Sequence, residues 1–314
     1  MPSRKEISEQ VARESQRRSR LAVPAFAGGI LYLLSGVIVT STLSGAPSVG
    51  VLQGLAPALA GEANPAVSPR ASEVKFISHH AFPLIAGSLL AAIAIVALTL
   101  ILLTLLDAVR FRRPETWPAA RPLVLAGGIA LAAISVGHQV VSAIETHNFA
   151  VGHDFSSHAV DNALTKGTAN VLAQYLDLLA GLSLAIGMIA VMVNALRVGL
   201  LTRWMGILGI FTAVLIFLPL GGATLEVVPS FWMVATGILF AGRWPNGDPP
   251  AWAAGEARPW PSQAEMRAKR TATEQPALST AAADAAAADV APEPARPASN
   301  GSARKRRRKR GARR

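Results

Sequence analysis

Long apolar runs without charge, separated by short basic segments, dominate the hydrophobic pattern of this chain. Crossing the hydrocarbon layer of a membrane, roughly 30 Å thick, takes about 20 apolar residues in a helix. Four runs reach that length, at 21–43, 81–106, 123–144 and 171–196. Because a helix satisfies its own backbone hydrogen bonds in lipid, the pattern predicts an all-α fold, a polytopic transmembrane helical bundle.

The apolar stretch at 204–242 is interrupted by a break that is rich in proline and glycine. Its only charged residue is Glu226. We predict two short spans, 204–220 and 227–242, joined on the outer side, which gives about six spans in all. A re-entrant hairpin is the alternative, and it leaves both ends of the stretch on the same side.

Lys and Arg residues are distributed unequally between the two sides of this topology. With the N-terminus inside, 27 of the 30 basic residues fall on the inner side, and only Arg70, Lys75 and Lys166 fall outside. Cytoplasmic loops of membrane proteins carry an excess of Lys and Arg. We therefore predict a multi-pass protein of the inner (cell) membrane with both termini in the cytoplasm.

Three regions follow from this topology. We predict a basic cytoplasmic lead-in at 1–20, a membrane domain at 21–243 and a disordered cytoplasmic tail at 244–314. The tail shifts to Pro, Ala and acidic residues, and a stretch such as 279–299 lacks the apolar residues needed to bury a core.

The tail ends in nine basic residues within its last eleven positions. Anionic lipid attracts each nearby basic residue by about 1 kcal/mol, so we predict contact with the anionic inner leaflet. Nucleic acid, bound through its backbone charge, is the alternative partner, and a solvated run that only reinforces the topology is another. No protein partner is indicated. The lipid-contacting candidates are Arg304, Lys305, Arg306, Arg307, Arg308, Lys309, Arg310, Arg313 and Arg314.

Two ionisable side chains, His138 and Asp177, lie inside the four long runs. Each is about 9 Å from the outer end of its span, and a charge inside a bilayer is costly enough to suggest a function. Polar residues at three- and four-residue spacing extend from each, so we predict two facing polar stripes. The pair would then be either a proton-binding switch or a structural contact between helices. The stripes consist of Ser135, Ser142 and Glu145 beside His138, and of Asn170 and Gln174 beside Asp177.

Other chemistry is only faintly indicated. The chain has no cysteine, which excludes disulfides and thiolate sites, and it lacks a nucleophile elbow, a Walker loop and a dinucleotide fingerprint. All histidines fall in the outer half of the predicted topology, but without a spaced zinc motif, so metal binding is left open and no cofactor is predicted. These residues are His79, His80, His138, His147, His153 and His158.

The sequence therefore leaves enzymatic activity undecided and favours a non-catalytic role in sensing, permeation or scaffolding. One alternative is a small transporter or channel that uses His138 and Asp177. The other is a membrane enzyme with a metal site on its outer face.

An Ala-Gly-Gly-Ile tetrad occurs at 27–30 and again at 126–129, early in two spans that run outward. It indicates either a repeated helical hairpin or close helix packing through small residues. The sequence favours neither explanation.

The segment LLTRWMGILGIFTAVLIFLPLGG at 200–222, followed by FWMVATGILFAGRWPNGDPPAWAAGEARPWPSQAEMRAKR at 231–270, resembles uncharacterised polytopic membrane proteins of actinobacteria. Similar Arg-Trp, Gly-x-x-Gly and Pro-Trp-Pro-Ser signatures follow one another near the C-terminus of that group. The resemblance implies an integral membrane protein of about six helices. It implies no activity and no catalytic residue.

Overall fold

The computed structural model describes residues 3–61, 67–218, 223–245 and 247–260, and within these ranges the chain is all-helical and forms no strand. A single isolated bridge joins Val67 and Phe155. In chain order the helices are α1 (Arg4–Ser44), α2 (Val51–Leu59), α3 (Ala71–His79), α4 (Ala81–Arg112), α5 (Ala120–Val151), α6 (Ser157–Asp161), a π-helix (Asn162–Lys166), α7 (Thr168–Val198), α8 (Arg203–Phe217), α9 (Ala223–Phe240) and α10 (Pro250–Ala254).

Four helical stretches are long and apolar enough to cross a membrane: α1, α4, α5 and the stretch from α6 to the end of α7. Each contains one of the four long apolar runs, so the helical fold is confirmed and is consistent with a multi-pass membrane protein. Helices α8 and α9 are apolar but shorter. With 15 residues, α8 extends over about 22 Å, less than the usual hydrocarbon thickness.

The long and short apolar helices form one bundle. Helix α4, the most hydrophobic of the four long stretches, packs against α1, α5 and α7. Helix α9 packs along α1, and α8 lies between α7 and α9. Near the end of α4 the side chains of Leu102, Leu105 and Leu106 are completely buried. We call the end of the bundle where α1 begins and α4 finishes the basic end, since it carries Arg18 and Arg112, and we call the other the opposite end.

Both Ala-Gly-Gly-Ile tetrads lie where helices approach closely. A Cβ atom on Gly29 of α1 would lie 2.6 Å from the Ser230 carbonyl oxygen of α9, and one on Gly127 of α5 would lie 2.5 Å from the Leu184 nitrogen of α7. Only glycine permits such contacts between backbones. Close packing therefore accounts for the tetrads.

The predicted disordered tail begins too early. The described residues 247–260 include α10 and lie against the basic end, with Ala251 and Trp252 buried. The Nε1–H groups of Trp252 and Trp260 donate to the carbonyl oxygens of Leu200 and Leu201, each at 2.9 Å. The prediction of disorder rested on the overall composition of the tail, which is dominated by Pro, Ala and Glu. The docking depends instead on two indoles, which bind backbone carbonyl groups left free where α7 ends.

A cluster of charged and aromatic side chains fixes this segment to the bundle. The Trp252 ring lies between two guanidinium groups, with Cζ of Arg18 at 4.4 Å and Cζ of Arg112 at 5.5 Å from its centroid. Arg18 also donates to Asp248 at 2.6 Å, and Arg112 donates through both terminal nitrogens to Glu14 at 2.9 and 2.8 Å. Residues 4–20, predicted as a lead-in, are thus the first turns of α1 and are partly buried in this cluster.

Two predictions lie outside the described residues. They concern the rest of the tail, 261–314, with its nine terminal basic residues, and the connection at 219–222 between α8 and α9. The contact of the tail with lipid stays a prediction.

Candidate functional site

A groove of about 570 Å³ opens beside α7 in the half of the bundle toward the opposite end. One face of α7 supplies Gln174, Asp177 and Gly181, α5 contributes His138, and the end of α8 contributes Ile216 and Phe217. The volume is in the usual range for small-molecule sites. The structure therefore places both predicted intramembrane residues on the wall of one cavity.

His138 and Asp177, both of which are described, form no hydrogen bond or ion pair with each other. They lie near enough for an electrostatic interaction between the two side chains. The two side chains thus share the wall of the groove without bonding to each other, and the energetic coupling between them stays a prediction.

The polar stripe of α7 is only partly directed toward α5. The buried amide of Asn170 donates to the Ala163 carbonyl oxygen at 3.1 Å, and Gln174 donates to the Thr165 carbonyl oxygen at 3.5 Å, so both bind the backbone of the π-helix. A π-helix leaves carbonyl groups out of the α-helical pattern, and these amides satisfy them. The stripe that looked functional in the sequence is therefore partly structural.

The stripe of α5 also divides into separate roles. The Ser135 hydroxyl group donates back to the Ala132 carbonyl oxygen at 3.0 Å, while the Ser142 carbonyl oxygen accepts a bond from Thr146 at 2.7 Å. Glu145 lines a second cavity of about 320 Å³ near the end of the helix. Of this stripe, only His138 reaches the groove.

Glu226 is a carboxylate within the helical bundle that sequence reasoning missed. Its carboxylate lies against Gly36 of α1, where a Cβ atom would overlap it, and its buried Oε2 atom has no hydrogen-bond partner in the described part of the chain. Gly36 precedes Leu43, the end of the apolar run of α1, by seven residues or about 10 Å. The signal was present, since Glu226 is the only charge at 204–242, but the residue was assigned to the connection between two spans.

Glu226, His138 and Asp177 thus lie at a common depth of about 10 Å below the opposite end of the apolar runs. Tyr32 of α1 lies close enough to both carboxylates to be affected by their charge. We call these four residues the polar layer. An ionisable group at such a depth is a candidate for function, and three of them at one level strengthen the case.

A small axial cavity of about 10 Å³, enough for about one water molecule, lies next to the polar layer. All six apolar helices contribute to its wall, among them α1 through Tyr32, α5 through Leu131 and α9 through Met233. Ile216 lines both this cavity and the groove. Toward the basic end the bundle closes around the buried leucines of α4.

The six histidines do not converge at the opposite end. His80 stacks on Phe76 with ring centroids 4.0 Å apart, and His158 lies 3.4 Å from the Asn162 amide. Asp154 accepts a hydrogen bond from the Ser156 backbone N–H, which lowers the pKa of this carboxyl group. Among the described residues no group of three or more His, Asp or Glu side chains is placed to hold a metal ion. The predicted alternative of an outer metal site thus gains no support.

Comparisons of the chain with protein families, curated proteins and solved structures found no match. The resemblance to membrane proteins of actinobacteria accordingly stays a prediction. Function has to be argued from the polar layer itself.

Proposed function

We propose that this chain is an integral protein of the inner membrane with six spans, both termini in the cytoplasm and no catalytic activity. The excess of Lys and Arg at the basic end supports this orientation. Helix α9 supports the fifth and sixth spans, because it follows α1 from Gly237, beside Phe26, to Glu226, beside Gly36. That contact leaves only about 10 Å to the opposite end of the α1 run.

The function that the geometry favours is the binding of a small organic cation in the groove of the polar layer. The main support for this proposal is that Asp177 and His138 line a cavity of about 570 Å³ without bonding to each other. Among the described residues that line the groove, Asp177 carries the one carboxyl group and none is a Lys or Arg, so an ionised Asp177 leaves a negative charge for a cation to neutralise. Tyr175 and Phe217 on the groove wall offer aromatic faces, which attract cations.

The shape of the bundle favours a sensor over an open channel. The groove and the small axial cavity share Ile216 on their walls, and toward the basic end the buried leucines of α4 and the cluster of Arg18, Arg112 and Trp252 close the bundle. A ligand would therefore enter and leave at the opposite end. A transporter in a closed state is the second candidate, favoured by an axial cavity to which all six apolar helices contribute.

The test uses the purified full-length protein and choline as the probe, with 3,3-dimethyl-1-butanol as its uncharged isostere. Choline is expected to raise the unfolding temperature and the isostere is not, because only the cation is attracted by the polar layer. Asp177→Asn should weaken choline binding at least tenfold, whereas the control Glu145→Gln, outside the groove, should leave it unchanged. Equal effects of the two probes, or equal binding by D177N and wild type, would refute the proposal.

Flux measured in proteoliposomes separates the two candidates. A sensor binds choline without moving it, so labelled choline should not accumulate inside the vesicles. Accumulation that is abolished by Asp177→Asn would instead establish the transporter.

The basic run at the end of the tail is proposed to hold it to anionic lipid. With the disorder that its composition predicts, the stretch of 43 residues at 261–303 has a root-mean-square span of roughly 36 Å, enough to fold back to the membrane. A peptide of residues 296–314 is expected to bind anionic but not neutral vesicles at physiological salt. Binding to duplex DNA alone would favour nucleic acid instead.

A further inference from the structure

An exposed apolar strip follows the outer surface of α4 between α1 and α5. Its members Leu89, Ile93, Val96 and Leu100 are 42–52% exposed, although α4 is the most buried of the long helices. Their spacing of four, three and four residues keeps them on one face of the helix, and Asp107, seven residues further on, continues that face. The strip therefore leads from the apolar middle of the bundle to a charged group at the basic end.

Asp107 is shared by two guanidinium groups from the flanking helices. Arg17 of α1 donates to it at 2.6 Å and Arg121 of α5 at 3.0 Å, and both arginines remain about half exposed. One carboxylate cannot neutralise two guanidinium groups, so this cluster keeps one unmatched positive charge.

A cavity of about 280 Å³ between α1 and α4 adjoins this cluster. Arg13, Arg17, Thr104 and Asp107 line it, and Arg13 forms no ion pair within the described ranges. Glu14 also reaches the cavity, but Arg112 already neutralises it at 2.8 Å. The cavity thus has a surplus of positive charge, from Arg13 and from the pair of arginines that share Asp107.

The tryptophans place this cavity at the depth of lipid headgroups. Five of the six lie at the basic end, and two of them, Trp117 and Trp204, have about half-exposed indoles there. Tryptophan with an exposed indole concentrates where membrane meets water. Arg17 directly precedes Arg18, whose guanidinium group stacks on the ring of Trp252. The five residues are Trp117, Trp204, Trp244, Trp252 and Trp260.

We propose that the cavity between α1 and α4, together with the apolar strip of α4, is a binding site for an anionic phospholipid. The lipid phosphate contacts Arg13 and Arg17, and an acyl chain lies along the strip. A net negative headgroup neutralises the surplus charge, whereas the ammonium group of a zwitterionic lipid adds to it. Bidentate contacts between arginine and phosphate are among the strongest hydrogen bonds in proteins. The site rests on the membrane location proposed above, but on none of the residues of the polar layer.

The experiment measures the unfolding temperature of the full-length protein in neutral detergent after addition of lipid. Dioleoyl phosphatidylglycerol is expected to raise it clearly more than dioleoyl phosphatidylcholine does. The variant Arg13→Gln/Arg17→Gln should lose most of this difference. The tail variant Arg306→Gln/Arg307→Gln, which removes the same charge elsewhere, should keep it.

Several outcomes would overturn the proposal. Equal shifts with the two lipids, or a full shift in R13Q/R17Q, would show that the cavity between α1 and α4 does not select anionic lipid. Loss of the shift only in the tail variant would assign the lipid to the basic run. An equal shift with inorganic phosphate would make the site a simple anion site.

Two further choices keep the result interpretable. If R13Q/R17Q does not fold, Arg13→Gln alone serves, because Arg13 is exposed and its replacement removes no ion pair among the described residues. This variant should reduce the difference between the two lipids in the shift of the unfolding temperature. An unchanged difference contradicts the proposal. Choline binding needs no added phospholipid, so a failure of ligand binding at the polar layer and a failure of lipid binding at the cavity between α1 and α4 are observed separately.

Discussion

Buried charges are matched at the basic end and left unmatched in the polar layer. The side chain of Arg112 is completely buried, yet it is paired with Glu14 and also donates to two backbone carbonyl oxygens, those of Ala251 and Ala108. The buried Oε2 atom of Glu226, by contrast, has no partner within the described ranges. A fully paired charge is explained by structure, whereas a buried polar atom without a partner calls for another explanation, such as a bound ligand.

Replacing Arg112 should be strongly destabilising. Arg112→Met leaves the Glu14 carboxylate buried and without its partner, and breaking such a pair costs about 3–5 kcal/mol. Chemical unfolding in detergent measures the loss. As a control, Arg70→Gln removes a pair whose arginine is 43% exposed, and should cost only about 0–1 kcal/mol. If both variants lost equally little, the ion pair would not hold the basic end together.

Gly36→Ala should destabilise the contact of α1 with α9. The added Cβ atom would overlap the Glu226 carboxylate, which is the flexible end of a side chain and has to shift, so the cost should lie at the low end of the range for overpacking, about 1 kcal/mol. The control is Gly137→Ala on α5, whose Cβ atom would meet no atom within 4 Å. There the better helix propensity of alanine should stabilise by up to about 1 kcal/mol.

A double variant tests the contact itself. Adding Glu226→Ala to Gly36→Ala removes the overlapping carboxylate, so the two unfolding energies should not be additive. Additivity within error would place Glu226 away from Gly36 and outside the polar layer.

At the scale of elements, the segment 247–260 behaves as a structural part of the bundle. Helix α10 has only five residues, too few to be stable alone, so its contacts with α1, α4 and the end of α7 must hold it. Gly255 at the end of α10 has a positive φ of 65°, and a Cβ atom there would lie 2.6 Å from Ile7. The segment therefore contacts the start of α1, the end of α4 and the end of α7.

Trp252→Ala should release this segment. The substitution removes the ring between Arg18 and Arg112 and the hydrogen bond to Leu200. Cleavage by a glutamate-specific protease after Glu256 should then be about tenfold faster or more, because losing about 1.4 kcal/mol already changes an opening equilibrium tenfold. Trp117→Ala, which removes a half-exposed indole at the same end, is the control. Unchanged cleavage in W252A would mean that the ring does not hold the segment.

At the scale of the whole molecule, the bundle is tightly packed at the basic end and more open toward the opposite end. The completely buried leucines of α4 at 102–106 lie near the first, while the groove and the polar layer lie toward the second. This asymmetry leaves the polar layer more accessible from the opposite end of the bundle than from the basic end. The main open question at this scale is whether α8 and α9 both cross the membrane or form a re-entrant hairpin.

The absence of cysteine makes that topology directly measurable with single-cysteine variants. With six complete spans, Leu218→Cys and Ala169→Cys should both react with an impermeant maleimide applied to intact cells. Ser8→Cys, near the start of α1, should react only after the cells are permeabilised. Labelling of A169C but not of L218C would favour the re-entrant hairpin, and labelling of S8C in intact cells would reverse the orientation.

The sequence alone determined the long helices and the ends that carry positive charge. Transfer of a helix into lipid depends on the summed hydrophobicity of about 20 neighbouring residues, which is a local property of the chain. The runs at 21–43 and 81–106 therefore lie in α1 and α4. His138 and Asp177 were identified for the same reason, since a charge within such a run is visible without knowing what it contacts.

Only the tertiary structure decided which distant residues meet. Arg112 pairs with Glu14 across 98 positions and Arg18 with Asp248 across 230, and the hydrophobicity of a local window carries no information about such contacts. The docking of α9 on α1 brings Glu226 to the depth of His138, and the indole of Trp252 turns a segment of disordered composition into part of the bundle. Both depend on packing, because a glycine at position 36 or a carbonyl group at the end of α7 acquires its role only when another helix approaches it.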